Sequence, residues 1–198
     1  IPEVIPEKFD RVAGIITERY HFKIRPVTRK MIRKENYATK LFAVITDTYK
    51  DLYEYTILPD NLADKYIGFY LKVLDLRYVS SVENEQGEIV AYGITMPSLA
   101  DALIKSRGRL FPFGWYHMLK AFKKNDVVDL LLVAVKPEYQ SKGVNSLLFT
   151  DLIPCFIKLG YKWAESSHEL EHNEMVQKQW QYFETVLNKR RRAFTMPI

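Results

Sequence analysis

Apolar residues recur at helical spacing in the first third of the chain. The spacing predicts three helical regions, at residues 6–20, 29–52 (where the pattern allows a break) and 60–73. The first region is amphipathic, and the residues of its predicted buried face are Phe9, Val12, Ile15 and Ile16. A short strand is predicted between the first two helices, at residues 21–25, because Pro26 ends that run.

The pattern changes to a period of two after residue 75. Alternating segments at 76–82 and 88–95 flank a turn at 84–87, which predicts an antiparallel hairpin. Two short helices are then predicted, at residues 99–105 and 116–122. The aromatic loop between them, Arg109–Trp115, is either a binding surface or a plug in the core. The usual burial of large aromatic side chains favours the plug.

A nearly continuous apolar run, Val127–Val135, predicts a central strand that is buried on both faces. A polar loop and a helix over 144–159 follow, and Gly160 suits the left-handed residue that ends a helix. The remaining pattern predicts a strand at 161–165, a helix ending within 182–186 and a last strand at 190–196. This order predicts an α/β fold in a single domain over residues 1–198. Its central sheet is mixed and mostly antiparallel, with helices on both faces.

Composition excludes several classes of protein. The single cysteine, Cys155, excludes an internal disulfide framework and a cysteine-rich zinc site. No run approaches the roughly 18 apolar residues of a membrane span, and residues 1–7 lack the pattern of a signal peptide. We therefore expect no membrane span and a cytoplasmic location. Because the chain does not begin with Met, we expect it to be processed or to be part of a longer protein.

The charge excess is mild, with a formal net charge of +5. Its densest cluster, Lys189–Arg192, would suit an RNA contact, but a solvated segment or a phosphate contact is the commoner use of such a run. We expect no nucleic-acid partner on this basis. The sequence leaves the oligomeric state open.

The polar loop after the apolar strand is the strongest candidate for chemistry. It contains Gly143 at the start of a helix, where backbone N–H groups have no partner within the helix and the dipole is positive. Glycine there lets a ligand approach the backbone. The neighbouring side chains add hydrogen-bond donors: Gln140, Ser141, Lys142, Asn145 and Ser146. Such a loop suits a pyrophosphate group, although an ordinary β–α turn looks the same.

The same segment resembles motif A of the GNAT N-acetyltransferase superfamily, in which a strand, a Pro, a Gln or Arg and a glycine pair precede a helix. The matching residues run Val135-x-Pro137-Glu138-Tyr139-Gln140-Ser141-Lys142-Gly143-Val144-Asn145, and they depart from the family where Asn145 replaces the second small residue. Downstream, Lys158–Glu165 is similar to the family's helix end and fifth strand. The resemblance is specific over residues 127–198. It is also a likeness to the C-terminal GNAT-like region of a longer bacterial-type protein.

The resemblance implies a GNAT-like fold that binds acetyl-CoA or another acyl-CoA. Residues implied in cofactor binding are Val133, Val135, Gln140, Ser141, Lys142, Gly143, Val144, Asn145, Ser146 and Asn173. The backbone N–H groups near Val133 and Val135 would hold the acyl carbonyl. The implied acceptor is a small-molecule amine or an amino-acid-like molecule, which attacks directly in a ternary complex.

The family's catalytic tyrosine falls on Trp180, so the nearest tyrosine, Tyr182, is the candidate acid that protonates the leaving thiolate. Glu169 is the favoured candidate base, because it follows the fifth strand, and Glu165 and Asp129 are the alternatives.

Two other interpretations stay open. The departures at Asn145 and Trp180 favour a catalytically inert GNAT-like domain that serves as a binding or structural module of a larger protein. The segment His168–His172 matches the H-E-x-x-H pattern of zinc hydrolases. It is polar on nearly every side and no third ligand is evident, so we expect no metal.

Overall fold

The computed structural model describes residues 1–52, 55–59, 62–63, 65–67, 74–192, 194 and 196. Its strands are β1 (Lys23–Ile24), β2 (Val79–Glu83), β3 (Ile89–Pro97), β4 (Val127–Val135) and β5 (Trp163–Ser166). Its helices are α1 (Glu7–Tyr20), α2 (Arg29–Lys34), α3 (Tyr37–Tyr49), α4 (Ala100–Ser106), α5 (Gly114–Lys123), α6 (Asn145–Lys158) and α7 (Glu174–Gln179). In the predicted helix at 60–73, residues 62–63 and 65–67 are helical, and the others lie outside the described residues.

The five strands form one sheet in the order β1-β2-β3-β4-β5. Neighbours are antiparallel from β1 to β4, and only the β4–β5 pair is parallel. Helix α6 supplies the crossover that a parallel pair requires. The predicted mixed, mostly antiparallel sheet is therefore confirmed.

Helices cover both faces of the sheet, as predicted. On one face, α1 and α6 pack on β2 and β3, and the buried residues there are Ala13, Ile16, Val82, Val90, Leu147 and Leu148. On the other face, α2 and α3 pack on the same strands, and the buried residues include Met31, Tyr37, Leu41, Val44, Ile89 and Tyr92. Alternation along β2 and β3 supplies side chains to both layers.

The buried face of α1 differs from its prediction at one position. Ile15 is 54% exposed, while Ala13 is buried. At 3.6 residues per turn, Ile15 lies roughly 120° around the helix from Phe9. It therefore points away from the sheet.

Strand β4 is less buried than its apolar run predicts. Val128 and Ala134 are fully buried, but Val133 is 40% exposed. The reason is that β5 pairs with residues 127–130 of β4, so the second half of β4 has an open edge. The prediction of a strand buried on both faces is wrong for that half.

Two further predictions are wrong. The described residues of the predicted last strand, 190–192, 194 and 196, have no strand structure, and the sheet ends at β5. The aromatic loop Arg109–Trp115 does not plug the core, because Phe111 and Phe113 are exposed. Within the described part of the chain, no helix has both the length and the hydropathy that a bilayer crossing requires.

Candidate functional site

Strand β4 contains an irregularity next to the point where its pairing with the edge strand β5 ends. Ile94 of β3 pairs with Leu132 and the next residue, Thr95, pairs with Leu130, so Leu131 is an extra residue on β4. Such a bulge bends the strand that carries it. The pairing of β4 with β5 ends at Leu130 because β5 itself ends at Ser166, so beyond the bulge β4 has no described strand on that side.

The open edge of β4 carries the backbone groups of Val133 and Val135. The N–H of Lys136 donates to Val90 O at 2.9 Å, which fixes the alternation of the antiparallel ladder. Residues 133 and 135 therefore direct their N–H and C=O groups away from β3, toward the open edge. Val133 and Val135, the residues implied in binding the acyl carbonyl, thus lie on this open edge.

The carbonyls on this edge are satisfied by side chains. Tyr49 Oη donates to Val133 O at 2.8 Å, and Thr48 Oγ1 donates to Val135 O at 3.3 Å. Gln140 Nε2 also donates to Val135 O, at 3.1 Å. The predicted ligand contact Gln140 thus anchors the loop to the strand, while the N–H groups on the same edge remain directed outward.

The loop before α6 has two residues in the left-handed region. Ser141 has φ of 62° and Gly143 has φ of 79°. The N–H groups of Ser146 and Leu147 donate to the carbonyls of Gly143 and Val144 at 2.9 and 3.0 Å. The N–H groups of residues 143–145 come before these two at the N-terminal end of α6, and donors at such an end have no partner within the helix.

The structural role of Gly143 differs from the expected one. A Cβ on this residue would lie 2.7 Å from Val12 Cγ1 of α1. The space that the glycine leaves is therefore filled by helix packing. Its positive φ is the second reason for glycine there.

The loop side chains have different accessibilities. Val144 and Ser146 are buried in the core, so their side chains do not face a ligand. Lys142 is exposed, with its Nζ 4.9 Å from the ring centroid of Tyr139 and 5.5 Å from that of Tyr20. The exposed polar side chains of this loop are those of Glu138, Gln140, Ser141 and Lys142.

Helix α7 lies against the loop. Asn173 caps this helix, with Oδ1 accepting from Val176 N at 3.4 Å. Ser141 Oγ is 3.9 Å from Met175 Sδ, and Asn145 Nδ2 donates to Gln179 Oε1 at 3.2 Å. The structure thus brings Ser141, Asn145 and the helix of Asn173 together.

The predicted acid and base have partners away from β4. The hydroxyl of Tyr182 is hydrogen-bonded to Lys8 Nζ of α1, and its ring meets Phe9 edge-on at 5.8 Å. Glu169 Oε1 accepts the indole N–H of Trp180 at 2.8 Å. The described hydrogen bonds and ring contacts of both residues are with α1 or the C-terminal segment, and none of them is with β4. Their catalytic roles stay predictions.

A third carboxylate, Asp129, lies on β4 two residues before the bulge. It is directly opposite Glu165 in the parallel register. Burial is the main cause that raises the pKa of Asp129, and the charge of Glu165 adds to it, while the Ser98 hydroxyl lowers it. This alternative base is a partly buried carboxyl group, one residue before the point where the pairing of β4 with β5 ends.

The H-E-x-x-H segment does not form a metal site. Residues 168–170 are irregular and residues 171–172 form a turn, so the two histidines do not share a helix face. Among the residues with described positions, no three histidine, cysteine or acidic side chains are grouped to hold a metal ion.

Sequence reasoning missed the residues that reach the open edge from other elements. Tyr49 and Thr48 are such residues, and no local pattern marks them, because the contact spans more than 80 residues. Tyr92 was also missed: it pairs with Ala134 of β4 and is fully buried in the core, and its hydroxyl has no hydrogen-bond partner among the described residues. Burial raises the pKa of Tyr92, so the hydroxyl is neutral.

Comparisons with known proteins support the fold. No protein-family model matches the chain. A curated relative, a bacterial ceramide synthase from Caulobacter vibrioides, is 24% identical over 154 residues, which cover 74% of this chain and 39% of the relative. The chain thus spans about two fifths of the length of that relative.

Solved structures resemble the model over most of its length. A possible acetyltransferase from Clostridium difficile 630 aligns with a TM-score of 0.52 at 15% identity, covering 88% of this chain and 99% of that one. An aminoglycoside N-acetyltransferase in complex with CoA aligns with a TM-score of 0.50 at 15% identity, covering 88% and 97%. The expected GNAT acetyltransferase fold is therefore confirmed.

Proposed function

We propose that the chain is an acyl-CoA-dependent N-acyltransferase that transfers an acetyl or longer acyl group to an amine in a ternary complex. The observation that carries this proposal is the open edge of β4 beyond the end of β5, where the N–H groups of Val133 and Val135 point away from β3. The solved neighbour that was in complex with CoA supports the choice of donor.

The edge and the loop fit the two polar parts of an acyl-CoA. The N–H groups of Val133 and Val135 would bind the acyl carbonyl and stabilise the oxyanion as the amine attacks. The N–H groups of residues 143–145 and the Lys142 ammonium would bind the pyrophosphate. Helix α7 would lie beside the bound donor, since Met175 and Gln179 already contact the loop.

We assign proton acceptance from the attacking amine to Asp129, directly or through a water molecule. Its pKa is raised and it lies beside the bulge, whereas the Glu169 carboxylate is held by the Trp180 indole. A base with a raised pKa is better matched to proton transfer near neutral pH. Nothing in the contacts of Tyr182 supports an acid role, so we leave protonation of the thiolate to solvent.

We propose that the acceptor is an amine with a long apolar chain. The curated relative is a ceramide synthase, and a ceramide is the amide of a fatty acid with a long-chain amino alcohol. This acceptor is longer and more apolar than the small or amino-acid-like amine that the resemblance implies. Because the chain spans 39% of that relative, the substrate is a proposal for this region alone.

A second candidate is a catalytically inert GNAT-like module. The hydrogen bond between Asn145 and Gln179 favours it, because this bond fixes α7 across the loop that would hold the pyrophosphate. The transferase predicts release of the CoA thiol when an amine is added, whereas the inert module predicts binding of the donor without release.

The test begins with thermal unfolding in acetyl-CoA, a long-chain acyl-CoA and CoA. Ligand at about 100 times its Kd stabilises by roughly 2.7 kcal/mol, an upward shift of about 5–10 °C for a chain of this size. Release of the CoA thiol is then followed with long-chain and short-chain amines. We expect Asp129→Asn to lower kcat/KM by about a hundredfold, at the low end of general-base effects, and the exposed control Glu18→Gln to leave it unchanged.

Three outcomes separate the candidates. A thermal shift with thiol release supports the transferase. A shift without release for any amine supports the inert module. No shift with any donor would overturn the assignment of an acyl-CoA site.

A further inference from the structure

The segment that joins β3 to β4 presents a large apolar surface to solvent. It is a helical hairpin formed by α4, the aromatic loop and α5, here called the 103–124 hairpin. Its exposed apolar residues are Leu103, Ile104, Leu110, Phe111, Phe113, Trp115, Tyr116 and Leu119. Phe111 is 74% exposed and Phe113 is 69% exposed, so the aromatic rings project outward. Contiguous apolar surface of this kind marks an interaction site.

The hairpin holds these side chains outward by its own backbone. The N–H of Trp115 donates to Leu110 O at 3.0 Å, and its indole N–H donates to Pro112 O at 2.8 Å. A Cβ at Gly114 would lie 1.9 Å from Arg109 O, so the turn closes as tightly as it does only with glycine there. The aromatic loop is thus a tight, hydrogen-bonded turn, and the backbone of this turn holds the aromatic rings outward.

The two helices and their loop are strongly basic, and their one acidic side chain is Asp101 in the first turn of α4. Residues 103–124 contain six basic side chains and no acidic one: Lys105, Arg107, Arg109, Lys120, Lys123 and Lys124. Within the described part of the chain, none of the six forms an ion pair. Apolar and aromatic side chains bordered by unpaired Lys and Arg form the pattern of a helix that lies in a lipid interface.

We propose that the 103–124 hairpin docks this protein onto the surface of an anionic phospholipid bilayer. The aromatic loop would enter the headgroup region and the six basic side chains would meet lipid phosphates. Helices of 7 and 10 residues are too short to cross a bilayer, so the contact is interfacial. A symmetric contact with a second copy is disfavoured, because it would place the same six positive charges against each other.

The position of the hairpin connects this surface to the candidate site. The hairpin ends where β4 begins, at Val127, and the Leu131 bulge lies four residues further, or about 13 Å along a strand. A bilayer bound there would lie near the start of the open edge of β4. The docking itself does not depend on acyl transfer, so it is tested without any activity measurement.

The experiment is co-sedimentation of the wild-type chain with phosphatidylcholine vesicles and with vesicles containing about one quarter phosphatidylglycerol. We expect at least tenfold stronger partitioning to the anionic vesicles, and a loss of that preference in 0.5 M NaCl because salt screens the attraction. Two double variants, Phe111→Ser with Phe113→Ser and Lys120→Glu with Lys124→Glu, should each lower the partition coefficient at least tenfold. Matched controls on other surfaces, Ile15→Ser and Lys30→Glu with Lys40→Glu, should stay within twofold of wild type.

A second measurement needs no disruptive variant. Brominated lipids should quench wild-type tryptophan fluorescence, and this quenching should fall in Trp115→Phe. Failure of the wild type to bind anionic vesicles would overturn the proposal, and so would unchanged binding by both hairpin variants. A dimer in sedimentation equilibrium that Phe111→Ser with Phe113→Ser disrupts, without vesicle binding, would assign the surface to a second copy instead.

Discussion

The hydroxyl of Tyr49, the last residue of α3, donates a 2.8 Å hydrogen bond to the carbonyl of Val133 on the open edge of β4. Thr48 does the same for Val135 at 3.3 Å. In a continuous sheet, a neighbouring strand would satisfy these carbonyls. Helix α3 therefore takes the place of a strand for the acceptors of this edge, while its donors have no hydrogen-bond partner among the described residues.

Replacing Tyr49 by Phe removes one of these bonds without changing the ring. We expect Tyr49→Phe to lower the free energy of unfolding by about 1 kcal/mol, the usual net value of one hydrogen bond. Urea denaturation measures the change. Tyr55→Phe is the control, because its hydroxyl is 3.5 Å from Thr46 Oγ1, and it should cost less than about 0.5 kcal/mol. Equal losses in the two variants would contradict the proposed role of the Val133 contact.

Features that depend on local spacing could be predicted from the sequence. The amphipathic helix α1, the β2–β3 hairpin and the succession of β4, loop and α6 follow from periods of 3.6 and 2 and from a few turn residues. Gly160 ends its helix with φ of 78°, as its position predicts. The mixed sheet followed from the order of these elements.

Features that depend on contacts between distant segments could not be predicted. The Leu131 bulge is decided by pairing with β3, and the run Val127–Val135 looks uniform in sequence. The sequence predicts that Gly143 makes room for a ligand. In the structure, the group nearest to its missing Cβ is Val12 of α1, about 130 residues earlier in the chain. The aromatic loop was expected in the core because large aromatic side chains are usually buried, and a turn that holds them outward has no periodic signature.

Gly143 and Gly160 form a matched pair for testing helix packing. Their φ values are 79° and 78°, but a Cβ at Gly143 meets Val12 at 2.7 Å while one at Gly160 meets nothing within 4 Å. Gly160→Ala should cost only the left-handed conformation, about 1–2 kcal/mol. Gly143→Ala should cost at least about 1 kcal/mol more, as typical of overpacking. Thermal or urea unfolding measures both.

A double-mutant cycle with Val12→Ala separates the two causes at Gly143. Removing the Val12 methyl groups should recover the packing part of the loss, giving a coupling of about 1 kcal/mol or more. The same substitution should not couple to Gly160→Ala. Additive effects at Gly143 would show that α1 does not limit this position.

A buried network at the far edge of the sheet should contribute more to stability than the Tyr49 bond. The Tyr37 hydroxyl lies 2.6 Å from Ser81 Oγ and donates to Glu83 Oε1 at 2.8 Å, and Arg25 completes the network with a 2.9 Å ion pair to Glu83. Tyr37→Phe leaves a buried carboxylate short of a donor, so we expect a loss of about 1.5–3 kcal/mol. Tyr116→Phe, on the exposed face of α5, should change the free energy of unfolding by less than about 0.5 kcal/mol. A Tyr37→Phe loss no larger than the control would mean that the network does not stabilise the fold.

Asp129 should make stability depend on pH in a direction opposite to that of an ordinary salt-bridged aspartate. Burial and Glu165 raise its pKa in the folded state, so its charged form is disfavoured there. Below the unfolded pKa of about 3.9 the group is protonated in both states and imposes no cost. As the pH rises through the folded pKa, the native carboxyl must ionise against its surroundings, and the free energy of unfolding falls.

Asp129→Asn removes this cost and keeps an oxygen that can accept from Ser98. We therefore expect the variant to have a higher urea midpoint than the wild type at pH 7, with the difference shrinking as the pH approaches 4. Asp51→Asn, at an exposed position, serves as the control and should leave the urea midpoint at pH 7 close to that of the wild type. Urea titrations at several pH values measure the difference in midpoint between the variant and the wild type. If Asp129→Asn is less stable than the wild type at pH 7, ionised Asp129 stabilises the fold and the prediction is wrong. A more stable but slower enzyme is the combination that a carboxyl group kept for proton transfer would produce.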